Sequence, residues 1–322
     1  MMLRARRPGV CVLSLFGWFS GGAPKPATPW FESDDLEGYL ARSRFDPATE
    51  AFIRDFARDG VAAVDLGAAA RALCDQAIAE TEGYFVDGVG RVQDAWYRSP
   101  AVRKLAAWPE MRRLLRAAYG RDPFPFQTLN FRVGSQQHLH ADTIHFHSVP
   151  ERFMCGVWIA LEDIRREAGP LAYLKGSHKL PVLTMRDAGV NTPQPGYEEY
   201  VRTYVPRFDA AMEAAQLPLE WAVIPKGWAF VWAANLAHGG SPIQDPHATR
   251  RSLVVHHYFE DCLYYTPMYS DEEGGRLHMR LPPNVRTGRW RWPARNGRPV
   301  RLSARLIANA WMRDRARRPS AL

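Results

Sequence analysis

The sequence predicts a mainly β protein, a barrel or sandwich, with helical additions ahead of it. Two observations predict it. From Phe126 to Phe259, short runs rich in β-branched and aromatic residues recur at fairly even spacing, separated by Gly and Pro clusters. Between residues 46 and 120, apolar residues recur at helical spacing instead. The 322 residues are 46% apolar and 24% charged, which excludes bulk disorder.

Residues 1–45 read as a flexible leader. Arg4, Arg6 and Arg7 precede an apolar stretch, Val10 to Phe19, that is too short to span a bilayer. This is the outline of a signal peptide, but Pro24 directly follows the small-residue exit and cleavage before proline is poor. Cys11, Cys74, Cys155 and Cys262 are far apart with no C-x-x-C, which excludes a disulfide scaffold or a zinc ribbon and fits a reducing compartment. The expected location is therefore cytoplasmic. Peripheral membrane contact through the apolar stretch is not predicted.

A helical part follows over 46–120. Asp46 caps a helix with Pro47 at its first position, and Phe52, Ile53 and Phe56 form its apolar face until Gly60 ends it. Val61 to Leu66 reads as a short strand, and Ala68 to Phe85 and Ala101 to Tyr119 as further helices. The barrel occupies 121–268. Its strands are placed at Gln127–Val133, His138–Phe146, Phe153–Leu161, Leu171–Leu174, Ala222–Ile224, Ala229–Ala233 and Ser252–Phe259. Val182 to Leu219 interrupts them with three prolines and reads as a loop insert able to cover a site.

The remainder, 269–322, reads as a basic C-terminal arm. From Arg276 to the end there are thirteen Arg, no Lys and one acid, Asp314, against a net charge of +8 for the whole chain. No aromatic-basic RNA motif accompanies this charge, so nucleic acid is not the expected partner. Leu302, Leu306, Ile307, Ala310 and Trp311 are placed on one apolar stripe of a helix there. The arm is expected to shape access or docking and to supply no catalytic residue.

The densest chemical signal is His138-Leu-His140-Ala-Asp142-Thr-Ile-His145-Phe-His147. On a strand, residues two apart share a face, so His140 and Asp142 project together. An imidazole beside a carboxylate supplies two of the three ligands of a facial triad on iron(II), leaving open positions for co-substrate and oxygen. His238, after the apolar run Ala229-Phe-Val-Trp-Ala233 and before Gly239-Gly240, is the candidate third ligand. Arg250 and Ser252 share one strand face and suit a clamp on a buried carboxylate. His138 reads as a supporting or exposed residue, and His145 and His147 as facing the barrel mouth or solvent. His178 binds substrate or caps a loop. One of His256 and His257 reads as core-facing and inert. Trp232 reads as core, and Cys155 as a small buried hydrophobe.

In their order and spacing, these residues resemble the phytanoyl-CoA dioxygenase-like branch of the non-haem iron, 2-oxoglutarate-dependent dioxygenases. The resemblance rests on His140-x-Asp142, His238-Gly-Gly-Ser241 and Arg250-Arg-Ser252, with Asn130-Phe-Arg-Val-Gly134, Trp158-Ile-Ala-Leu-Glu-Asp163, Gly169-Pro-Leu171 and Gly176-Ser-His178 between and before them. It covers about residues 47–268. It implies a double-stranded β-helix, or jelly roll, braced by N-terminal helices. It implies iron(II), 2-oxoglutarate and O2, with His140, Asp142 and His238 as metal ligands and Arg250 on the distal carboxylate, assisted by Ser252. Asn130 and Trp158 are expected to line the co-substrate pocket. Family halogenases lack the carboxylate that is present here as Asp142, so hydroxylation of an unactivated C–H of a small-molecule metabolite is the implied reaction. Two alternatives stay open. One is a cupin-type metalloenzyme that does not use 2-oxoglutarate, disfavoured because the H-x-H at His138 is not followed by the Glu that cupins use. The other is a non-catalytic ligand-binding barrel.

Overall fold

Alternation along one strand organises the molecule. In the computed structural model, which describes residues 25–86 and 88–317, Ser252–Phe259 is a fully buried strand. It sends Leu253 and Val255 into one apolar core and Val254 into another. A run buried on both faces has to be apolar nearly throughout, and this one is interrupted chiefly by histidines.

That strand, β10, lies within a six-stranded antiparallel sheet ordered β1-β8-β5-β10-β3-β2. The other members are β1 (Val61–Asp65), β2 (Arg91–Gln93), β3 (Pro123–Phe131), β5 (Met154–Ala160) and β8 (Trp228–Ala233). A second sheet, ordered β7-β6-β9, comprises β6 (Leu171–Leu174), β7 (Leu219–Trp221) and β9 (His238–Gly240). A short pair joins β4 (His147–Val149) to β11 (Leu263–Tyr265). One core lies between the sheets, built from Trp158, Ala160, Phe230, Trp232 and Val254 of the large sheet against Leu171 and Tyr173 of the small one. This is the jelly roll, with the second core between the large sheet and the helices.

The bracing helices are α1 (Leu36–Ser43), α2 (Pro47–Asp59), α3 (Ala68–Thr81), α4 (Pro100–Ala106) and α5 (Pro109–Tyr119). The start of α2 follows its cap: Asp46 accepts from Thr49 N at 2.9 Å, with Pro47 at the first turn. Gly60 closes it at φ 76°, and a Cβ there would lie 2.4 Å from His178 Nδ1. His178 is thereby explained: it is buried, with Nε2 3.2 Å from Ala57 O, and braces this corner without lining the main cavity.

Several expectations are corrected. The flexible leader does not extend to residue 45. Trp30–Glu32 and α1 are helical, and Phe31 is buried with its ring 4.4 Å from that of Phe56 and 5.0 Å from that of Tyr119. Burying that ring ties the segment to the core. The apolar stretch and its arginines lie outside the described residues. The strand expected at 222–224 falls three residues earlier, at β7. The insert is helical rather than a loop: α6 (Tyr197–Glu199), a π-helical turn (Tyr200–Tyr204) and α7 (Val205–Ala214) run consecutively, with Tyr204 and Phe208 buried.

The basic arm is packed against the barrel. Leu281 and Val285 are buried, and Val285 N donates to Pro125 O. The last helix, α8 (Ala304–Arg317), is held by Arg317 on buried Asp94 at 2.5 Å and by Tyr97 donating to Asp314 at 2.5 Å. Its apolar stripe is only partly used: Ala310 is buried, whereas Trp311 faces solvent under Arg315. No helix among the described residues is long and apolar enough to cross a membrane.

Candidate active site

His140 and Asp142 do not lie on a regular strand. His140 makes a single antiparallel bridge with His238, each backbone N donating to the other's O at 2.9 Å. Asp142 then opens a 3-10 turn, Asp142–Ile144. The expected strand over 138–146 is thus replaced by a bridge and a turn, and the shared face comes from that local geometry. His238 begins β9, so Gly239 and Gly240 are strand residues and not a turn.

Donor atoms of His140, Asp142 and His238 all lie within 4.8 Å of one another, although nearly a hundred residues separate the first from the last. His140 Nδ1 donates to His138 O at 2.8 Å and His238 Nδ1 to Leu236 O at 2.9 Å. A backbone carbonyl can only accept, so Nε2 carries the lone pair in both rings; that of His140 accepts from Gln137 Nε2 at 3.2 Å, a contact that a bound metal would replace. Burial lowers both imidazoles, His140 to about 4, so both are neutral at pH 7. Burial raises the Asp142 pKa, but the imidazoles of His256, His238 and His140, charged only in the acid range where the carboxyl titrates, and the Trp232 hydrogen bond bring it below its ordinary value, so a carboxylate stands beside neutral imidazoles at pH 7. Two neutral imidazoles and one carboxylate are the donor set of a facial triad, so the residues present fit iron(II).

Trp232, read from the sequence as core, orients this cluster. Trp232 Nε1 donates to Asp142 Oδ2 at 2.8 Å. Gly156 makes room for it: a Cβ there would stand 2.1 Å from the indole. His256 Nε2 lies 3.7 Å from the same oxygen, and its Nδ1 lies 2.9 Å from Gln127 Oε1. The alternation that turns Arg250 and Ser252 inward also turns His256 inward, so the signal was present in the sequence. His257, on the other face, is the buried and inert one.

The cluster opens into a cavity of about 870 Å³ lined by Trp158, Arg250, Phe131, His145 and Phe146 among others. Arg250 is 3% exposed, with its guanidinium carbon 5.3 Å from the Trp158 ring centroid and 5.5 Å from that of Phe131. Burial lowers its pKa to about 10, no carboxylate lies at ion-pair distance among the described residues, and its Nε has no hydrogen-bond partner. Trp158 Nε1, on the same cavity, is buried and unpartnered as well; Ser252 Oγ is also unpartnered but is not among the lining residues. Orphaned buried groups converging on one cavity are the mark of a ligand site. Arg251 points away, to Glu82 at 3.0 Å.

Asn130 is not where it was expected. It pairs in register with Leu253, which faces the helices, while its neighbours Leu129 and Phe131 line the cavity. The pleat therefore turns Asn130 away. His138 is exposed and bound to Asp209 of α7 at 2.7 Å, which ties the helical insert over the cavity. Tyr197, Tyr200, Val201 and Val205 of that insert form part of the wall. His147 is buried rather than open to solvent.

A jelly roll with a His-Asp-His cluster beside a buried, unpaired arginine defines the class of non-haem iron, 2-oxoglutarate-dependent oxygenases. The family model described as phytanoyl-CoA dioxygenase matches residues 51–252, and the chain belongs to that family. A probable phytanoyl-CoA dioxygenase of Caenorhabditis elegans is 33% identical over 88 residues, which is 26% of this chain and 28% of that protein. Among solved structures, the non-haem α-ketoglutarate-dependent carbocyclase SnoK from nogalamycin biosynthesis matches with a TM-score of 0.56 at 16% identity, over 81% of this chain and 95% of that one. The epimerase SnoN from the same biosynthesis matches at 0.51 and 19% identity, over 68% and 86%. EctD from S. alaskensis with 2-oxoglutarate and 5-hydroxyectoine matches at 0.52 and 16% identity, over 71% and 81%. At these identities the structures speak for the fold.

Proposed function

We propose that the protein is an iron(II)- and 2-oxoglutarate-dependent dioxygenase that hydroxylates an unactivated C–H bond of a small-molecule metabolite. The observation that carries this is the convergence of His140, Asp142 and His238 in one cavity with the unpaired Arg250. When bound, iron(II) with 2-oxoglutarate and O2 supplies the oxidation, and 2-oxoglutarate leaves as succinate and CO2. The chain's own residues do the rest. His140 and His238 offer Nε2 because their Nδ1 protons are held by backbone carbonyls. Trp232 N–H fixes one oxygen of Asp142, which orients the other. Arg250 pairs with the distal carboxylate of 2-oxoglutarate, and that pairing compensates its buried charge. Tyr200 and Val205 of the insert exclude water from the substrate side. We place this activity in the cytoplasm, where the buried free thiols of Cys74, Cys155 and Cys262 stay reduced.

The test is succinate formation by the purified protein. It should require both iron(II) and 2-oxoglutarate, and a cupin-type enzyme or a non-catalytic barrel would show no such joint requirement. SnoN and SnoK are an epimerase and a carbocyclase, so the outcome is read from product mass in a metabolite screen: gain of one oxygen supports hydroxylation, and an unchanged mass or loss of two hydrogens rejects it.

A further inference from the structure

The charges lining the cavity are unequal. Asp142 is the one carboxylate among the lining residues, against the guanidinium groups of Arg91, Arg250 and Arg280. Iron(II), Asp142, a dianionic 2-oxoglutarate and Arg250 together are neutral. Arg280 and Arg91 remain uncompensated.

Arg280 is the better placed of the two, since Arg91 is exposed at the sheet edge. Its Nη1 donates to Thr266 Oγ1 at 3.0 Å, and its guanidinium carbon stands 4.8 Å from the Phe146 ring centroid and 5.8 Å from that of Phe126. Its Nε is buried without a hydrogen-bond partner, and no ion pair reaches it among the described residues. The Phe146 ring lies 4.9 Å from the His256 ring, itself 3.7 Å from Asp142 Oδ2. The guanidinium is therefore one phenyl and one imidazole away from the metal cluster. After burial, its charge also lowers the pKa of Arg313 in a second cavity, of about 510 Å³, that Arg280 borders too. A guanidinium held in an apolar wall, crowded by a like charge and lacking a carboxylate, is suited to a bidentate anion. Leu139, Val201, Val205 and Met268 give the cavity an apolar side, opposed by polar lining residues that include Gln93, Gln127 and Gln137.

Resting on the oxygenase reading above, we infer that the substrate is an amphipathic anion whose carboxylate or phosphate head is bound by Arg280 while its apolar body lies across the iron cluster. Arg280 belongs to the basic arm, beyond the residues the family model matches.

The experiment uses the iron(II) protein under anaerobic conditions, with 2-oxoglutarate saturating so that Arg250 is engaged. Octanoate, octyl phosphate and octanamide are titrated by calorimetry. Wild type should bind at least one anionic probe about tenfold or more tightly than the amide, and added NaCl should weaken the anion without weakening the amide. Arg280→Gln should erase the preference, and Arg280→Lys should keep part of it. A purely structural arginine would alter the melting temperature and leave the anion-to-amide ratio unchanged. Octanoate and octyl phosphate distinguish the two head groups. The inference is overturned if wild type shows no anion preference, if Arg280→Gln retains it, or if Arg91→Gln abolishes it instead. Iron- and 2-oxoglutarate-dependent succinate formation by wild type is measured separately, so a failed oxygenase reading is distinguished from a failed anion site.

Discussion

Replacing Arg250 by Met separates the cost of its charge from the benefit of its pairing. The guanidinium is buried, and its pKa is pushed down to about 10 from an ordinary 12.5. That shift corresponds to about 3 kcal/mol of pressure against the charged form when no anion is present. Methionine keeps most of the packing on Phe131 and Trp158 and removes the charge. The ligand-free variant should therefore melt no lower than wild type, or higher. Binding of 2-oxoglutarate should weaken by about 2–3 kcal/mol, roughly 30- to 150-fold, as expected for loss of a charge-assisted pair. At a 2-oxoglutarate concentration of about 100 times the wild-type Kd, wild type gains about 2.7 kcal/mol of stability from the ligand. A variant weakened about 100-fold gains only about 0.4 kcal/mol, so its ligand-induced thermal shift nearly disappears. Calorimetric titration of the iron-loaded protein measures the affinity, and a melting curve with and without 2-oxoglutarate measures the linkage. Arg251→Met is the control, because that side chain pairs with Glu82 outside the cavity. Undiminished affinity in Arg250→Met, or a larger loss in Arg251→Met, would refute the reasoning.

Asp142→Ala should abolish succinate formation, with the fold intact by circular dichroism; halogenation is not expected from that change alone. Gly156→Ala should push the Trp232 indole off Asp142, and Trp232→Phe should remove its N–H while keeping a smaller aromatic ring; each should weaken iron binding about 10- to 100-fold in a metal titration. Burial lowers His147 and His178 to about 4 and His257 to about 3. The unfolded chain takes up these protons first, so stability is complete above about pH 6.5, falls as the pH drops toward 4, and levels off below the folded pKa values. Urea midpoints measured from pH 7 to 4 should fall accordingly, and a flat profile would contradict the burial of these rings.

Much of this was legible because the relevant signals are local. The cap at Asp46, the strands Leu171–Leu174 and Ser252–Phe259, and the inward face of Arg250 follow from spacing alone. The metal cluster was found through a premise that does not hold. His140 and Asp142 were placed on a strand, whereas a bridge to His238 and a 3-10 turn bring them together. A two-residue spacing is compatible with either geometry, so the residues were right and the element wrong. Asn130 failed for the opposite reason. Its motif pointed to the site, but the pleat of β3 turns it toward the helices. The sequence reads Trp232 as core and leaves open which of His256 and His257 is inert, because a buried indole or imidazole on an apolar strand has the same pattern whether it fills a core or faces a carboxylate. Only the 2.8 Å contact of the first and the 3.7 Å approach of the second distinguish them.

The division of labour in the chain follows from which contacts are local and which are not. The oxidising cluster is built on β9, its bridge to His140 and the adjoining turn, and is oriented by Trp232 of β8, all within the matched family segment. The outer walls of the cavity come from two other elements. One is the helical insert over 197–214, tied down by His138 and Asp209; the other is the basic arm, tied down by Arg317 on Asp94. Their docking could not be read from periodicity, because each is attached to the barrel by buried side chains and polar contacts between residues far apart in sequence. A barrel that keeps its metal cluster can change substrate by exchanging these two attachments. This is the physical sense in which a shared fold does not fix the substrate.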